Sequence, residues 1–201
     1  MTLPPFQRLA AVCAVAAGAG GLLYSFAFVA LVRGIATGVM APLTSLLLLV
    51  GGLLVLAVFT ALYERLRDLG GTYALLAVVL GVAGAFGTVM HGGFDLAQAI
   101  HPARTDPAVP SQVDPRGLFT FGVSGLALFL FASLMRRSRA FPVNLAYLGY
   151  VSAVLLVLVY LARLIILSPS HPAVLGVAAL EGLVVNPLFY IWLGLTLRRA
   201  A

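Results

Sequence analysis

Six long runs of apolar residues, broken by short stretches rich in proline, glycine or arginine, account for nearly the whole chain. They fall at roughly residues 7–32, 43–62, 72–99, 117–135, 142–167 and 173–197, and each is about as long as the ~20 residues that carry a helix across a hydrocarbon core. The breaks have a local chemical cause. Pro42, Pro142 and Pro172 stand at or just before helix starts, where a missing N–H is tolerated. Gly70-Gly71 separates the second run from the third, and Pro102, Pro107, Pro110 and Pro115 exclude a continuous helix between the third and fourth. The pattern predicts an all-α polytopic membrane protein, a six-transmembrane-helix bundle forming one domain over residues 1–201. The longest connection, about Ile100 to Arg116, is too short to fold independently.

Composition agrees. The chain is 62% hydrophobic and 9% charged, against about 25% charged in soluble domains, so it cannot cover a water-facing surface. Its net charge of +6 rests on twelve arginines and no lysine. In a soluble protein that balance would suggest a nucleic-acid partner. Here most of the arginines flank the apolar runs, as anchors facing anionic lipid headgroups, and no nucleic-acid partner is expected.

Arginine placement also predicts orientation. With the N-terminus in the cytoplasm, Arg8, Arg65, Arg67, Arg136, Arg137, Arg139, Arg198 and Arg199 lie inside, and only Arg33, Arg104 and Arg116 outside. Both termini are then cytoplasmic, and the proline-rich connection faces outward. Arg8 before an apolar run suggests a signal peptide, but the run continues to about Val32, so a retained first helix is expected. Cys13 is the only cysteine and is expected to pack as a small hydrophobe. Tyr63, Tyr190 and Trp192, near the cytoplasmic ends, are expected to form an interfacial belt. Glycines recur at 18, 20 and 21 and at 81, 84 and 87, where they let helices approach closely or leave a gap for a ligand beside the third helix.

Four ionisable residues interrupt the apolar runs: His91, Asp95, Arg163 and Glu181. A charge near the middle of a membrane helix costs at least about 2.5–3.5 kcal/mol on insertion scales, which makes these positions functional candidates. At about 1.5 Å of rise per residue, Asp95 and Arg163 lie roughly 6 Å from the outer ends of their runs, and His91 and Glu181 roughly 13 Å. Matched depths predict two pairs, Asp95 with Arg163 and His91 with Glu181. His91 and Asp95, four apart, share a helix face that Gln98 extends, and Tyr24, Thr120, Ser124 and Tyr160 supply further polar groups at similar depth.

The candidate ligand-binding set is therefore His91, Asp95, Gln98, Arg163, Glu181, Tyr24, Ser124 and Tyr160, lining a polar cavity that opens outward above an aliphatic inner half. The plainer alternative is polar glue between helices, with Arg163 reaching toward the headgroups and a protonated Glu181 donating a hydrogen bond. His91, Asp95 and Glu181 together would suit a metal. The chain has no HExxH or ExxH and no second buried histidine, however, so neither a metal nor another cofactor is expected. The GVSG around Ser124 is not a GxSxG nucleophile elbow. Asn186-Pro187 is expected to kink the sixth helix and free backbone carbonyls.

The glycine-rich first run ending GLLYSFAFV and the last run EGLVVNPLFYIWLGLTLRR, with Asn186, Trp192 and Gly194 before a basic end, resemble a family of uncharacterised bacterial six-helix membrane proteins, a domain of unknown function. The resemblance implies the fold and a bacterial cytoplasmic membrane, and carries no chemistry. A lysine-free chain rich in Ala, Gly, Arg and Val is what a GC-rich genome tends to encode. The sequence thus points to binding of a small or lipid-like molecule, as a sensor, carrier or accessory subunit. The alternatives are a membrane enzyme using His91, Asp95 and Glu181 on an amphipathic substrate, and a structural subunit among other membrane subunits.

Overall fold

A computed structural model of the chain describes residues 5–35, 38–101, 115–166 and 168–199. Among the described residues, six helices are long and apolar enough to cross a membrane: α1 (Pro5–Val32), α2 (Met40–Leu69), α3 (Gly71–Ile100), α4 (Leu118–Arg137), α5 (Val143–Ile166) and α6 (Pro172–Arg199). This is the architecture of a multi-pass membrane protein. Most of the proline-rich connection, residues 102–114, lies outside the described residues.

The helix ends follow simple electrostatics. Arg65, Arg136 with Arg137, and Arg198 with Arg199 occupy the last turns of the α-helical segments of α2, α4 and α6, where cations face the negative end of the helix dipole. α6 begins with Pro172 in its first turn, and His171, exposed just before it, caps the helix by accepting the Ala173 N–H on Nδ1 at 3.2 Å. The bend after α1 uses Gly34 and Gly38 with φ of 67° and 70°, a region that L side chains avoid.

Each helix packs on its neighbours in the chain, and α6 returns to α1, so the six close into a ring. Without water to expel between helices in lipid, backbone proximity has to provide the packing. Glycines supply it at almost every seam. A Cβ on Gly194 would stand 2.7 Å from the Ala11 carbonyl oxygen, and one on Gly18 would stand 3.0 Å from that of Pro187, which fixes the α1–α6 seam. Gly92 abuts the α2 backbone at Leu49, and Gly125 abuts the α5 backbone at Ala153. The α3 glycines leave no gap for a ligand: Phe59, Ser124 and Phe119 fill the space beside Gly81, Gly84 and Gly87.

The core occupies only half of the bundle. Phe59 stacks on Phe131 with ring centroids 5.5 Å apart, and around them pack Leu62, Leu66, Leu128, Met135, Leu145, Phe189, Leu193 and Leu197. All of these lie in the half that carries the arginine-rich helix ends. Cys13 packs there as a small hydrophobe. Tyr190 belongs to this core too, edge-on to Phe189, so it corrects the expectation of an interfacial tyrosine. In the opposite half the buried positions hold small or polar side chains such as Ser25, Ala27, Thr44, Ala85, Thr120 and Glu181, with Leu155, Val159 and Val174 among the larger apolar ones.

A polar clamp closes the filled half. Buried Gln7 donates from Nε2 to Glu64 Oε2 at 2.7 Å and accepts from Arg65 Nε at 3.0 Å, while Arg65 Nη2 donates to the Leu197 carbonyl at 3.1 Å. One amide and one guanidinium thus tie α1, α2 and α6 together. Gly194→Ala should lower the melting temperature of the detergent-purified protein, because the Ala11 carbonyl belongs to a backbone that must move. Gly20→Ala, with nothing within 4 Å of the added Cβ, should leave it unchanged or raise it by the roughly 0.5–1 kcal/mol that alanine gains over glycine in a helix.

Candidate functional site

In the opposite half two polar clusters form, and each stands at a π-helical turn. The first π-turn, Leu118–Val123, opens α4. Its wider backbone is seated on α3 at two glycines: a Cβ at Gly84 would collide with Ser124, and one at Gly87 with Phe119. The second π-turn, Glu181–Val185, lies within α6 just before Pro187. It is seated on α1, where a Cβ at Gly182 would collide with the Ser25 side chain and one at Gly21 would stand 3.2 Å from Asn186 Oδ1. The expected disturbance at Asn186-Pro187 thus takes the form of a π-turn. Such turns are uncommon and gather at functional sites.

The first cluster links α3 to the start of α4. Asp95 is shared: its Oδ1 accepts from Arg116 Nη1 at 3.0 Å, and its Oδ2 lies 3.4 Å from His91 Nε2. On the other side of the imidazole, His91 Nδ1 lies 3.2 Å from Thr120 Oγ1, whose proton goes to the Arg116 carbonyl at 2.9 Å. The Arg116 guanidinium also covers the Phe94 ring at 4.1 Å from its centroid, a cation–π contact. The cluster is within reach of the bundle end: the side chains of Asp95, Arg116 and His91 are 41%, 28% and 16% exposed.

The second cluster joins α5 and α6 and is buried. Ser152 Oγ donates to Glu181 Oε1 at 2.5 Å, and Asn186 Nδ2 donates to the same oxygen at 3.4 Å.

Both expected pairs are therefore replaced. Asp95 takes Arg116 in place of Arg163, because Arg116 at the start of α4 faces the α3 carboxylate directly. His91 takes Asp95 and Thr120, and Glu181 takes Ser152 and Asn186, so matched depth did not place His91 and Glu181 together. Arg163 has no hydrogen bond or ion pair among the described residues, although Tyr24 lies within Coulombic range of both Arg163 and Asp95. Ser124 donates to the Phe119 carbonyl at 3.2 Å, and Tyr160 packs against Gly122, so both serve the seams of α4. Gln98 is exposed.

No three His, Cys, Asp or Glu side chains converge among the described residues, and Glu181 stands apart from the His91–Asp95 pair. A cavity of about 170 Å³ opens between α4 and α5, lined by Gly125, Phe129, Ala153, Val154, Val157 and Leu158; it is apolar and touches none of the candidate residues.

Sequence reasoning left Arg116, Ser152 and Asn186 out of the site, and counted Thr120 only as a further polar group at that depth. One signal was available: Arg116 and Thr120 are four apart and share a helical face, which they present to a helix carrying its own i, i+4 polar pair. The chain matches no protein-family model, and no curated protein or solved structure shows significant similarity to it.

The pairing can be checked by double-mutant cycles in detergent. Asp95→Asn with Arg116→Leu should show a coupling of about 1–2 kcal/mol, between the small values of exposed pairs and the larger ones of buried pairs. Asp95→Asn with Arg163→Leu should be additive. Coupling to Arg163 instead would return the pairing to the one suggested by depth.

Proposed function

We propose that the chain is a membrane binding protein whose polar half receives a small or lipid-like molecule with an anionic head. The observation that carries this reading is the division of the core. Large buried side chains, all the buried aromatic ones among them, fill one half of the bundle, and in the other the buried positions are mostly small or polar, with a few aliphatic ones. A protein selected only for stability would gain by extending the apolar core through both halves.

Charge suggests the class of head. Asp95 is already engaged by Arg116 and His91, so Arg163 is the cation within the spans of the polar half that no described residue pairs, and a phosphate or carboxylate would complete it. The ligand tail would lie along the apolar outer faces of the helices. In this reading the arginine-rich ends face the cytoplasm of a bacterium and the polar half faces outward, as a sensor, carrier or accessory subunit of the inner membrane would present it.

One observation favours an enzyme as the second reading. Asp95, His91 and Thr120 form a carboxylate–imidazole–hydroxyl series, the arrangement that activates a nucleophile. Thr120 is buried and gives its proton to the Arg116 carbonyl, which ranks this reading below binding.

Two measurements test the proposal. In a Cys13→Ala background, Ser170→Cys should react with an impermeant maleimide on intact spheroplasts, and Ala140→Cys only after permeabilisation. The reverse would place the polar half on the cytoplasmic side. Native mass spectrometry from mild detergent should show an acidic adduct on the wild-type protein that Arg163→Gln weakens at least about tenfold, the loss expected for one charge-assisted hydrogen bond. Identical adducts on wild type, Arg163→Gln and His91→Gln, with only the melting temperature lowered, would leave the polar half as structural glue.

A further inference from the structure

Among the described residues, Glu181 is the only Asp, Glu, Arg or His that is fully buried, at 4% exposure. Its two oxygens are treated unequally. Oε1 receives both donors, Ser152 and Asn186, whereas Oε2 is buried with no hydrogen-bond partner.

Neither permanent state of the carboxyl explains that asymmetry. A fixed carboxylate shares its charge over both oxygens, and a buried charged oxygen needs a partner. A fixed carboxylic acid serving as glue would aim its O–H at an acceptor. No arginine or histidine bonds to Glu181 among the described residues. The turn packs on α1 and α5. The titratable and charged groups on these elements are Arg8, Cys13 and Tyr24 of α1, Tyr147, Tyr150, Tyr160 and Arg163 of α5, and Tyr190, Arg198 and Arg199 of α6. Tyr190 lies within Coulombic reach of Glu181, and none of these groups forms a hydrogen bond or ion pair with it among the described residues. The neutral oxygens beside the turn are Ser152 Oγ, which donates to Oε1, Asn186 Oδ1, which faces Gly21, and Ser25 Oγ, which lies against Gly182. A buried carboxylate with one oxygen unpartnered and no fixed counter-charge bonded to it needs a proton or another small cation on that oxygen to offset its charge.

We propose that Glu181 is an exchangeable site for a small monovalent cation, taken up on Oε2 from the polar half of the bundle, with a proton or a sodium ion as the source of the charge. Uptake of a proton forms an O–H bond at Oε2, and release returns the proton to water. A sodium ion displaces that proton and takes its place on the carboxylate. The site rests on the Glu181 geometry alone and holds whether or not a ligand binds near Arg163.

Infrared difference spectroscopy tests it directly. Wild type and Glu181→Gln are reconstituted in phosphatidylcholine vesicles, and the carboxylic-acid C=O band that distinguishes them is followed across about pH 5 to 9, a range reached by buried carboxyl groups. Buffers contain either N-methylglucamine or sodium as the cation. Loss of the band as pH rises, equally in both salts, identifies a proton site. Its loss at fixed pH on adding sodium identifies sodium as the competing occupant. A band unchanged across the range in both salts would mean a permanently protonated hydrogen-bonding group, and no acid band at any pH a permanent carboxylate; either overturns the proposal. Should Glu181→Gln fail to fold, Ser152→Ala assigns the band, since removing the donor to Oε1 shifts the frequency of that same C=O.

Discussion

A polar atom inside so apolar a bundle has no water to fall back on, and its partner must come from the protein. The two halves answer this constraint differently. At the arginine-rich end the answer is complete: Gln7 both gives and accepts, and Arg65 divides its donors between a side chain and the Leu197 carbonyl. At the other end it is partial. Asp95 accepts from Arg116 on one oxygen and has His91 Nε2 at 3.4 Å from the other, while Glu181 is satisfied on one oxygen only. The large apolar side chains are concentrated in the first half, and the second holds the ionisable groups that interrupt the apolar runs.

The two π-turns show how the polar groups are placed without breaking the ring. Each adds backbone width at one level of a helix, and at that level the neighbour presents glycine or serine. Gly84 and Gly87 of α3 receive the start of α4; Gly21 and Ser25 of α1 receive the middle of α6. The widened turns carry Thr120 and Glu181 inward. A regular α-helix in either place would rotate every later residue by a fraction of a turn, and the faces that pack Phe131 or Phe189 would no longer meet the core.

The helices were legible because a long apolar run has few alternatives, and Gly70 and Pro172 punctuate them at positions the structure also uses. The four ionisable residues were legible as a locus for the same reason, since each stands alone in an apolar surrounding. Their partners were not. Depth along a helix can be counted from the sequence, but the direction a residue faces accumulates about 100° per residue and is reset by each π-turn. Arg116 looked like a loop anchor because it precedes the apolar run, although the helical turn Pro115–Gly117 already aims it at Asp95. Ser152 had no signal at all: one serine in an apolar helix is ordinary until a carboxylate is found opposite it.

The seam between α1 and α6 joins Ala11 to Gly194 and Gly18 to Pro187, positions far apart in the sequence. Without α6 the other five described helices form only an open arc, and the small residues of α1 that meet it lack their partner. Glu181 is likewise beside Ser152 of α5 only when α6 is docked. The contact that closes the ring is thus also the one that brings the buried acid to its donors.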